Sequence, residues 1–326
     1  MIASAQTSRK TRRIGLALSS GMARGWAHIG AIRALTKLGF TFDVIAGCSV
    51  GALAGGCFLA GQMDSLEKWA RALTKRKIVT YLDLRLRSGG LIGGARLVED
   101  MRKYMGTSKI EDFTTPYVAM TTDLVTGHEV WLDHGDLVEA IRASFSLPGI
   151  FPPVQINDRW LADGALVCPL PVAACRAMGA DMVIAINLNA DLIGKSQRKG
   201  ATYATAAGFD MMNFLKENGE EKKLSMMDGL ARRVFRRDYD GPSLFGVMTA
   251  SLNIMQDRIT RARLAGDPPD VHIAPRLGHL GLLEFDRADE AIREGEAAVL
   301  RKQPELMDAL EILHNRHPRV GRNEPI

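Results

Sequence analysis

Five residues beginning at Gly47 form the first pattern with chemical meaning. The sequence Gly47-Cys48-Ser49-Val50-Gly51 places a serine between two glycines, with one residue on either side. The apolar run at 42–46 predicts a strand, and the residues up to about 60 predict a helix. A serine in a sharp strand-to-helix turn is exposed as a nucleophile, and glycines let neighbouring backbones pass closely. We therefore expect Ser49 to be a nucleophile, with Gly47 and Gly51 forming its turn.

A second loop follows the apolar run at 14–18 and opens the next predicted helix. It reads Ser20-Gly21-Met22-Ala23-Arg24-Gly25. Consecutive backbone N–H groups at such a position can hold an oxyanion or a phosphate. A nucleotide-binding role is disfavoured because neither G-x-G-x-x-G nor a P-loop lysine motif is present. The amides of Gly21, Met22, Ala23 and Arg24 could therefore form an oxyanion hole or hold a phosphate, with Arg24 as a fixed cation or an anchor of the loop.

A third candidate is Asp163, which precedes Gly164 at the end of a predicted strand around Trp160. An aspartate before a glycine is often only a turn former. Beside a serine nucleophile and an oxyanion loop, however, its carboxylate can serve as a general base.

Together these segments resemble the patatin-like phospholipase family, in its bacterial branch. The family pattern runs G-G-G-x-[RK]-G, then G-x-S-x-G, then D-G-[GA], and it is matched in order by residues 20–25, 47–51 and 163–165. Residues 142–153 also resemble the segment that precedes the aspartate in this family. The resemblance covers about residues 14–188. Ser20 and Met22 depart from it, since they replace two glycines, and Met22 is expected to narrow the mouth of the pocket.

The resemblance implies a serine–aspartate dyad that works without a histidine. Asp163 would accept the proton as Ser49 attacks an ester carbonyl, and amides near Gly21, Met22 and Ala23 would stabilise the oxyanion. No metal and no organic cofactor would be needed. The implied substrates are lipid esters, namely phospholipid or lysophospholipid acyl chains.

Two alternatives stay open at this point. A Ser-His-Asp esterase with the chain order Ser…Asp…His would have to use His272 or His279. His272 falls in a predicted strand at 271–274, where an ordinary packed histidine is expected. The other alternative is a non-catalytic, lipid-sensing regulatory protein on the same fold, which Met22 in the oxyanion loop favours and the intact Ser49 and Asp163 oppose.

The surrounding elements predict an α/β fold. Strand–turn–helix occurs twice before residue 60, which is typical of a mainly parallel sheet, and the resemblance implies a three-layer α/β/α patatin-like arrangement. We expect a basic disordered tail at 1–13 and one acyl-hydrolase domain at 14–312. Within it, residues 190–240 would form a mobile, lid-like excursion, and residues 313–326 would form a C-terminal tail.

Composition restricts the partners and the compartment. The chain has 326 residues, a formal net charge of +5 and four cysteines without zinc-like spacing, which favours buried thiols in the cytoplasm. The uncharged stretch at 44–63 has the length of a membrane span, but its five glycines favour a buried strand, turn and helix. No nucleic-acid-binding motif is present.

Two features of residues 190–264 bear on lipid contact. Arg232, Arg233, Arg236 and Arg237 are expected to touch anionic membrane surfaces peripherally. Met248 and Met255 lie seven residues apart in a predicted helix at 242–264, and we expect both in the core. The other methionines of this region could cover an acyl chain. The oligomeric state stays open.

Overall fold

The computed structural model describes residues 12–75, 77–78, 95–105, 108–191 and 244–315. Several sequence-based expectations lie outside these ranges. They are the basic tail up to residue 11, almost all of the excursion at 190–240, the four arginines at 232–237 and the last eleven residues.

A mixed sheet forms the centre of the fold, with strand order β5-β6-β3-β2-β1-β7-β8 and β4 paired to β3. The pairs β1–β2, β2–β3, β1–β7 and β7–β8 are parallel, whereas β6 and β4 run antiparallel to β3, and β5 antiparallel to β6. The expectation of an α/β fold with a mainly parallel sheet is confirmed. The strands are β1 (Ile14–Leu18), β2 (Val44–Cys48), β3 (Tyr117–Asp123), β4 (Glu129–Leu132), β5 (Val154–Ile156), β6 (Arg159–Asp163), β7 (Met182–Ile186) and β8 (Val271–Ile273).

Helices cover both faces of this sheet. Alternate side chains of β1 point to opposite sides, so Leu16 and Leu18 join the larger core with α1 and α2, while Ala17 joins a second core with α6. This is the expected three-layer arrangement. The helices are α1 (Ala27–Lys37), α2 (Val50–Leu59), α3 (Met63–Arg71), α4 (Ala95–Met105), α5 (Leu137–Ser144), α6 (Val172–Ala177), α7 (Leu244–Gly266), α8 (Ala288–Arg301) and α9 (Gln303–Asn315).

The register of the central strands brings the sequence motifs together. Leu18 at the end of β1 pairs with Gly47 near the end of β2, and Cys48 pairs with Met120 of β3. Since parallel strands end at one edge of a sheet, the loop after β1 and the turn after β2 lie side by side. The uncharged stretch at 44–63 forms β2, α2 and the start of α3, and no helix in the described ranges is long and apolar enough to cross a membrane.

Ordered contacts extend past residues 14 and 312, the expected ends of the domain. Arg13, assigned to a disordered tail, is held because its backbone N–H donates to Oδ2 of Asp181 (2.9 Å) and its Nη1 to the carbonyl of Met178 (2.8 Å). At the other end, α9 continues past residue 312 because Leu313 is buried in the core.

The expectation for the methionine pair on α7 is wrong for one residue. Met248 packs against the core, but Met255 on the same face is 48% exposed. Spacing places two residues on one helix face, but whether each is buried depends on what lies opposite that part of the helix.

Candidate active site

Ser49 is a one-residue turn between β2 and α2. Its backbone has φ 56° and ψ −123°, a conformation that costs a residue with a side chain about 1–3 kcal/mol. The flanking glycines are needed for close approach. A Cβ on Gly47 would lie 2.5 Å from the backbone nitrogen of Ala52, and one on Gly51 would lie 2.3 Å from the carbonyl oxygen of Leu18. The turn therefore holds the serine side chain at the carboxyl edge of the sheet.

The hydroxyl of Ser49 donates a hydrogen bond to Oδ2 of Asp163 over 2.8 Å. Asp163 ends β6, where it pairs with Thr121 of β3, the strand beside β2. Both residues are almost inaccessible, with 2% of Ser49 and 1% of Asp163 exposed. The structure thus brings together the two residues that the sequence singled out separately.

The environment of Asp163 makes its carboxyl a stronger base than an exposed one. Burial raises its pKa from 3.8 to about 7, because the ionised form loses its hydration. Hydrogen bonds oppose this rise: the N–H of Ala165 donates to Oδ1 over 2.8 Å, and the hydroxyl of Ser49 donates to Oδ2. The side-chain hydroxyl of Thr122 donates to the backbone carbonyl of Asp163 and so helps to fix the position of this residue.

Ser144, at the end of α5, holds the backbone of Ser49, the candidate nucleophile, in a way that sequence reasoning missed. Its Oγ accepts the backbone N–H of Ser49 at 2.9 Å and donates to the carbonyl of Met120 at 2.6 Å. Two residues later, the carbonyl of Ser146 accepts the N–H of Asp163. The segment at 142–153, which resembles the family's segment before the aspartate, thus connects the backbones of both candidate catalytic residues.

The loop after β1 offers fewer free amides than expected. The N–H of Ala23 donates to the carbonyl of Leu282 (3.0 Å), and that of Arg24 to the carbonyl of Gly21 (3.2 Å). In the described part of the chain, the N–H groups of Gly21 and Met22 donate to no acceptor. Met22 has φ 50°, in the region that favours the glycine of the family pattern.

Arg24 holds this loop in place. Its side chain is buried, and its Nε donates to the carbonyl of Leu280 over 3.0 Å. Burial lowers its pKa to about 10, and the charge of Glu284 opposes this shift. The guanidinium therefore stays positively charged at neutral pH and joins the loop to residues 280–284.

No histidine in the described ranges hydrogen-bonds to Ser49 or Asp163. His272 lies on β8, in register with Ala185, Ala17 and Ala46 on successive strands. Three strand spacings separate β8 from β2, so His272 lies on the order of 14 Å from the strand that leads to Ser49. His279 is on the surface, with its Nε2 paired to Oε1 of Glu290.

An apolar pocket opens beside Ser49. It encloses about 690 Å³ of empty space, part of it open to solvent, and every lining residue except Ser49 is apolar. Met22 lies at this pocket, as the sequence predicted, but the rest of the lining could not be predicted because its residues come from distant segments. The methionines that could cover an acyl chain lie outside the described ranges. The aromatic and aliphatic wall includes Trp26, Leu53, Trp69, Met101, Phe145 and Phe285.

The described residues contain no group of three or more histidine, cysteine or carboxylate side chains that could hold a metal ion. The groups that meet at this site are a serine hydroxyl, a carboxyl with a raised pKa and backbone amides, beside an apolar pocket.

Known proteins resemble this chain in sequence. A family model of patatin-like phospholipases matches residues 16–175. An uncharacterized NTE family protein of Mycobacterium tuberculosis is 33% identical over 322 residues, covering 87% of this chain and 89% of that protein. Lysophospholipase nte1 of Emericella nidulans is 32% identical over 192 residues, which are 54% of this chain and 12% of that protein. The chain belongs to the patatin-like phospholipase family, whose members are carboxylic ester hydrolases acting on lipids.

Proposed function

We propose that the protein hydrolyses acyl esters of phospholipids or lysophospholipids with a Ser49–Asp163 dyad and no histidine. The observation that carries the proposal is the 2.8 Å hydrogen bond from the Ser49 hydroxyl to Asp163 at the end of an apolar pocket. A nucleophile within hydrogen-bond reach of its base is the arrangement that acyl transfer requires.

In the first half-reaction, Oγ of Ser49 attacks the ester carbonyl carbon as its proton passes to Oδ2 of Asp163. The carbonyl oxygen becomes an oxyanion, for which the N–H groups of Gly21 and Met22 are the available donors on the neighbouring loop. Collapse of this intermediate breaks the ester bond. The alcohol leaves with the proton from Asp163, and the acyl group stays on Ser49.

In the second half-reaction, Asp163 accepts a proton from water as the water attacks the acyl-serine. The fatty acid is released, and the hydroxyl of Ser49 is restored with the proton returned by Asp163. The raised pKa of Asp163 suits both steps. A carboxyl with a pKa near neutral pH can accept a proton in one step and donate it in the next.

The pocket supports a long acyl chain as the part of the substrate that is bound. Its wall is apolar, and Phe145 stacks edge-on against Phe151 with ring centroids 5.1 Å apart. Burying each methylene of a chain in such a wall contributes about 0.8 kcal/mol. A charged headgroup has no partner inside it, so the headgroup would stay outside the pocket.

The test is turnover of short- and long-chain acyl esters by the wild type and by Ser49→Ala. Loss of all turnover above background in the variant is the expected result, together with one fluorophosphonate adduct per chain at Ser49 in the wild type. Equal, slow turnover by both proteins would contradict hydrolysis and favour the non-catalytic, lipid-sensing alternative.

A further inference from the structure

Helix α7 departs from the usual distribution of polar and apolar residues. Its most deeply buried side chains are polar, namely Asn253, Gln256, Asp257 and Thr260, although Met248, Leu252 and Leu264 are half-buried against the core. Its exposed side carries large apolar residues: Val247 is 43% exposed, Ile254 51% and Met255 48%. A helix on the surface of a globular protein normally turns its apolar stripe inward. Both sides of α7 therefore need an explanation.

One of the buried polar residues, Gln256, contacts the oxyanion loop. Oε1 of Gln256 accepts a hydrogen bond from the hydroxyl of Ser20 over 3.2 Å, and Nδ2 of Asn189 donates to the same hydroxyl. Ser20 directly precedes Gly21, one of the proposed oxyanion donors. Earlier in the helix, Met248 contacts Gly149, close to the pocket residues Phe145 and Phe151. The helix therefore lies beside the catalytic loop.

The exposed side combines apolar residues with a cation. Ile254 lies seven residues after Val247 and four before Arg258, so these three share one side of the helix with Met255. The guanidinium of Arg258 is exposed and has no ion-pair partner in the described ranges. The whole chain is also positively charged, with a formal net charge of +5. An apolar helix face with a free cation is suited to the boundary between headgroups and acyl chains of an anionic bilayer.

We propose that this face of α7, formed by Val247, Ile254, Met255 and Arg258, docks the protein on an anionic phospholipid surface. The apolar side chains enter the boundary between headgroups and acyl chains, and Arg258 pairs with lipid phosphates. Since Gln256 on the other side of the helix holds Ser20, docking places the oxyanion loop one helix diameter, roughly 10 Å, from the bilayer surface. The inference rests on the proposed function. It adds that the site takes its lipid substrate from a bilayer surface.

The experiment uses the whole chain and vesicles of phosphatidylcholine and phosphatidylglycerol in equal parts. The test variant is Ile254→Ser combined with Met255→Ser. The matched control is Ile312→Ser, which removes an equally large side chain that is 56% exposed on α9. Three quantities are measured: co-sedimentation with vesicles, hydrolysis of the vesicle lipid, and hydrolysis of a short-chain ester dissolved in buffer.

The double variant is expected to lose about tenfold or more in vesicle binding and vesicle hydrolysis, because apolar burial at the interface is lost. Its turnover of the dissolved ester should match the wild type, which shows that the fold and the dyad are intact. Ile312→Ser should behave as the wild type throughout. Arg258→Ser should weaken binding to these vesicles at low salt more than at high salt, because charge attraction is screened.

Vesicle binding by the double variant equal to that of the wild type would overturn the proposal. So would a wild type that hydrolyses the dissolved ester but binds no vesicle, although the proposed hydrolysis would then survive. A wild-type dimer that the double variant converts to a monomer would assign the face to self-association and overturn lipid docking. Vesicle binding that depends on this face, without hydrolysis of any ester, would support docking and contradict the proposed hydrolysis.

Discussion

Ser49 and Asp163 are 114 positions apart in the chain, yet the hydroxyl of the first donates to the carboxylate of the second over 2.8 Å. The contact depends on strand order. Strand β3 lies between β2 and β6, and its register with each fixes the position of both residues along the strand direction. Met120 of β3 pairs with the residue before Ser49, and Thr121 pairs with Asp163. A shift of register by one residue in either pair would separate the hydroxyl from the carboxylate.

Because no histidine in the described ranges contacts this pair, activity should not depend on one. His272→Asn and His279→Asn are expected to keep most of the wild-type kcat/KM for a dissolved ester. Asp163→Asn should lose about 10²–10⁴-fold or more, since the serine then has no base. Circular dichroism would show whether each variant is folded. A loss of similar size in either histidine variant, with the fold intact, would favour a three-residue triad.

The raised pKa of Asp163 predicts the pH dependence of the reaction. The carboxyl must be ionised to accept the proton of Ser49, and its pKa is about 7. The value of kcat/KM should therefore rise with pH through this region and level off above it. A profile of kcat/KM between pH 5 and pH 9, measured on a dissolved ester, would check this. A profile that stays flat down to pH 5 would mean that the carboxyl ionises as an exposed aspartate does.

The same shift predicts a cost in stability. Between pH 4 and pH 7 the folded protein binds a proton at Asp163 that the unfolded chain has released, so stability falls as pH rises through this window. The difference between a pKa of about 7 and one of 3.8 corresponds to at most about 4 kcal/mol at pH 8. Asp163→Asn removes this cost and keeps an oxygen for the N–H of Ala165.

We therefore expect Asp163→Asn to have a larger free energy of unfolding than the wild type at pH 8, with the difference shrinking toward pH 4. Denaturant titrations of both proteins at the two pH values measure it. A variant less stable than the wild type at pH 8 would show that burying the ionised carboxyl does not lower the stability of the fold.

The sequence was informative wherever chemistry depended on local pattern, and less so where it depended on tertiary contact. The turn at Ser49 follows from glycines that only a crowded strand-to-helix junction requires. Asp163 stands out only together with the other two motifs, since an aspartate before a glycine is often a turn former. The pocket wall could not be predicted in this way, because Trp69, Met101 and Phe285 meet only after folding. Ser144 was missed for a similar reason, since no sequence pattern indicates which groups a serine at a helix end will contact.

Met22 is the residue of the oxyanion loop whose identity should most affect substrate choice. Its side chain lines the pocket next to Ser49, and its backbone occupies a region that glycine enters without strain. Met22→Gly should widen the pocket mouth and raise kcat/KM for an ester with a bulky alcohol part, relative to one with a small alcohol part, by about tenfold. Overall stability should fall, since the buried thioether packing is lost.

Met22→Ala is the control, because it also removes the long side chain but keeps a Cβ in the strained conformation. If bulk limits the pocket, both variants should shift the ratio of kcat/KM values for the two esters by a similar factor. If strain in the loop limits the orientation of its N–H groups, only the glycine variant should raise kcat, and it should do so for both esters. An unchanged ratio and an unchanged kcat in both variants would show that Met22 neither narrows the mouth nor strains the oxyanion loop in a way that affects catalysis.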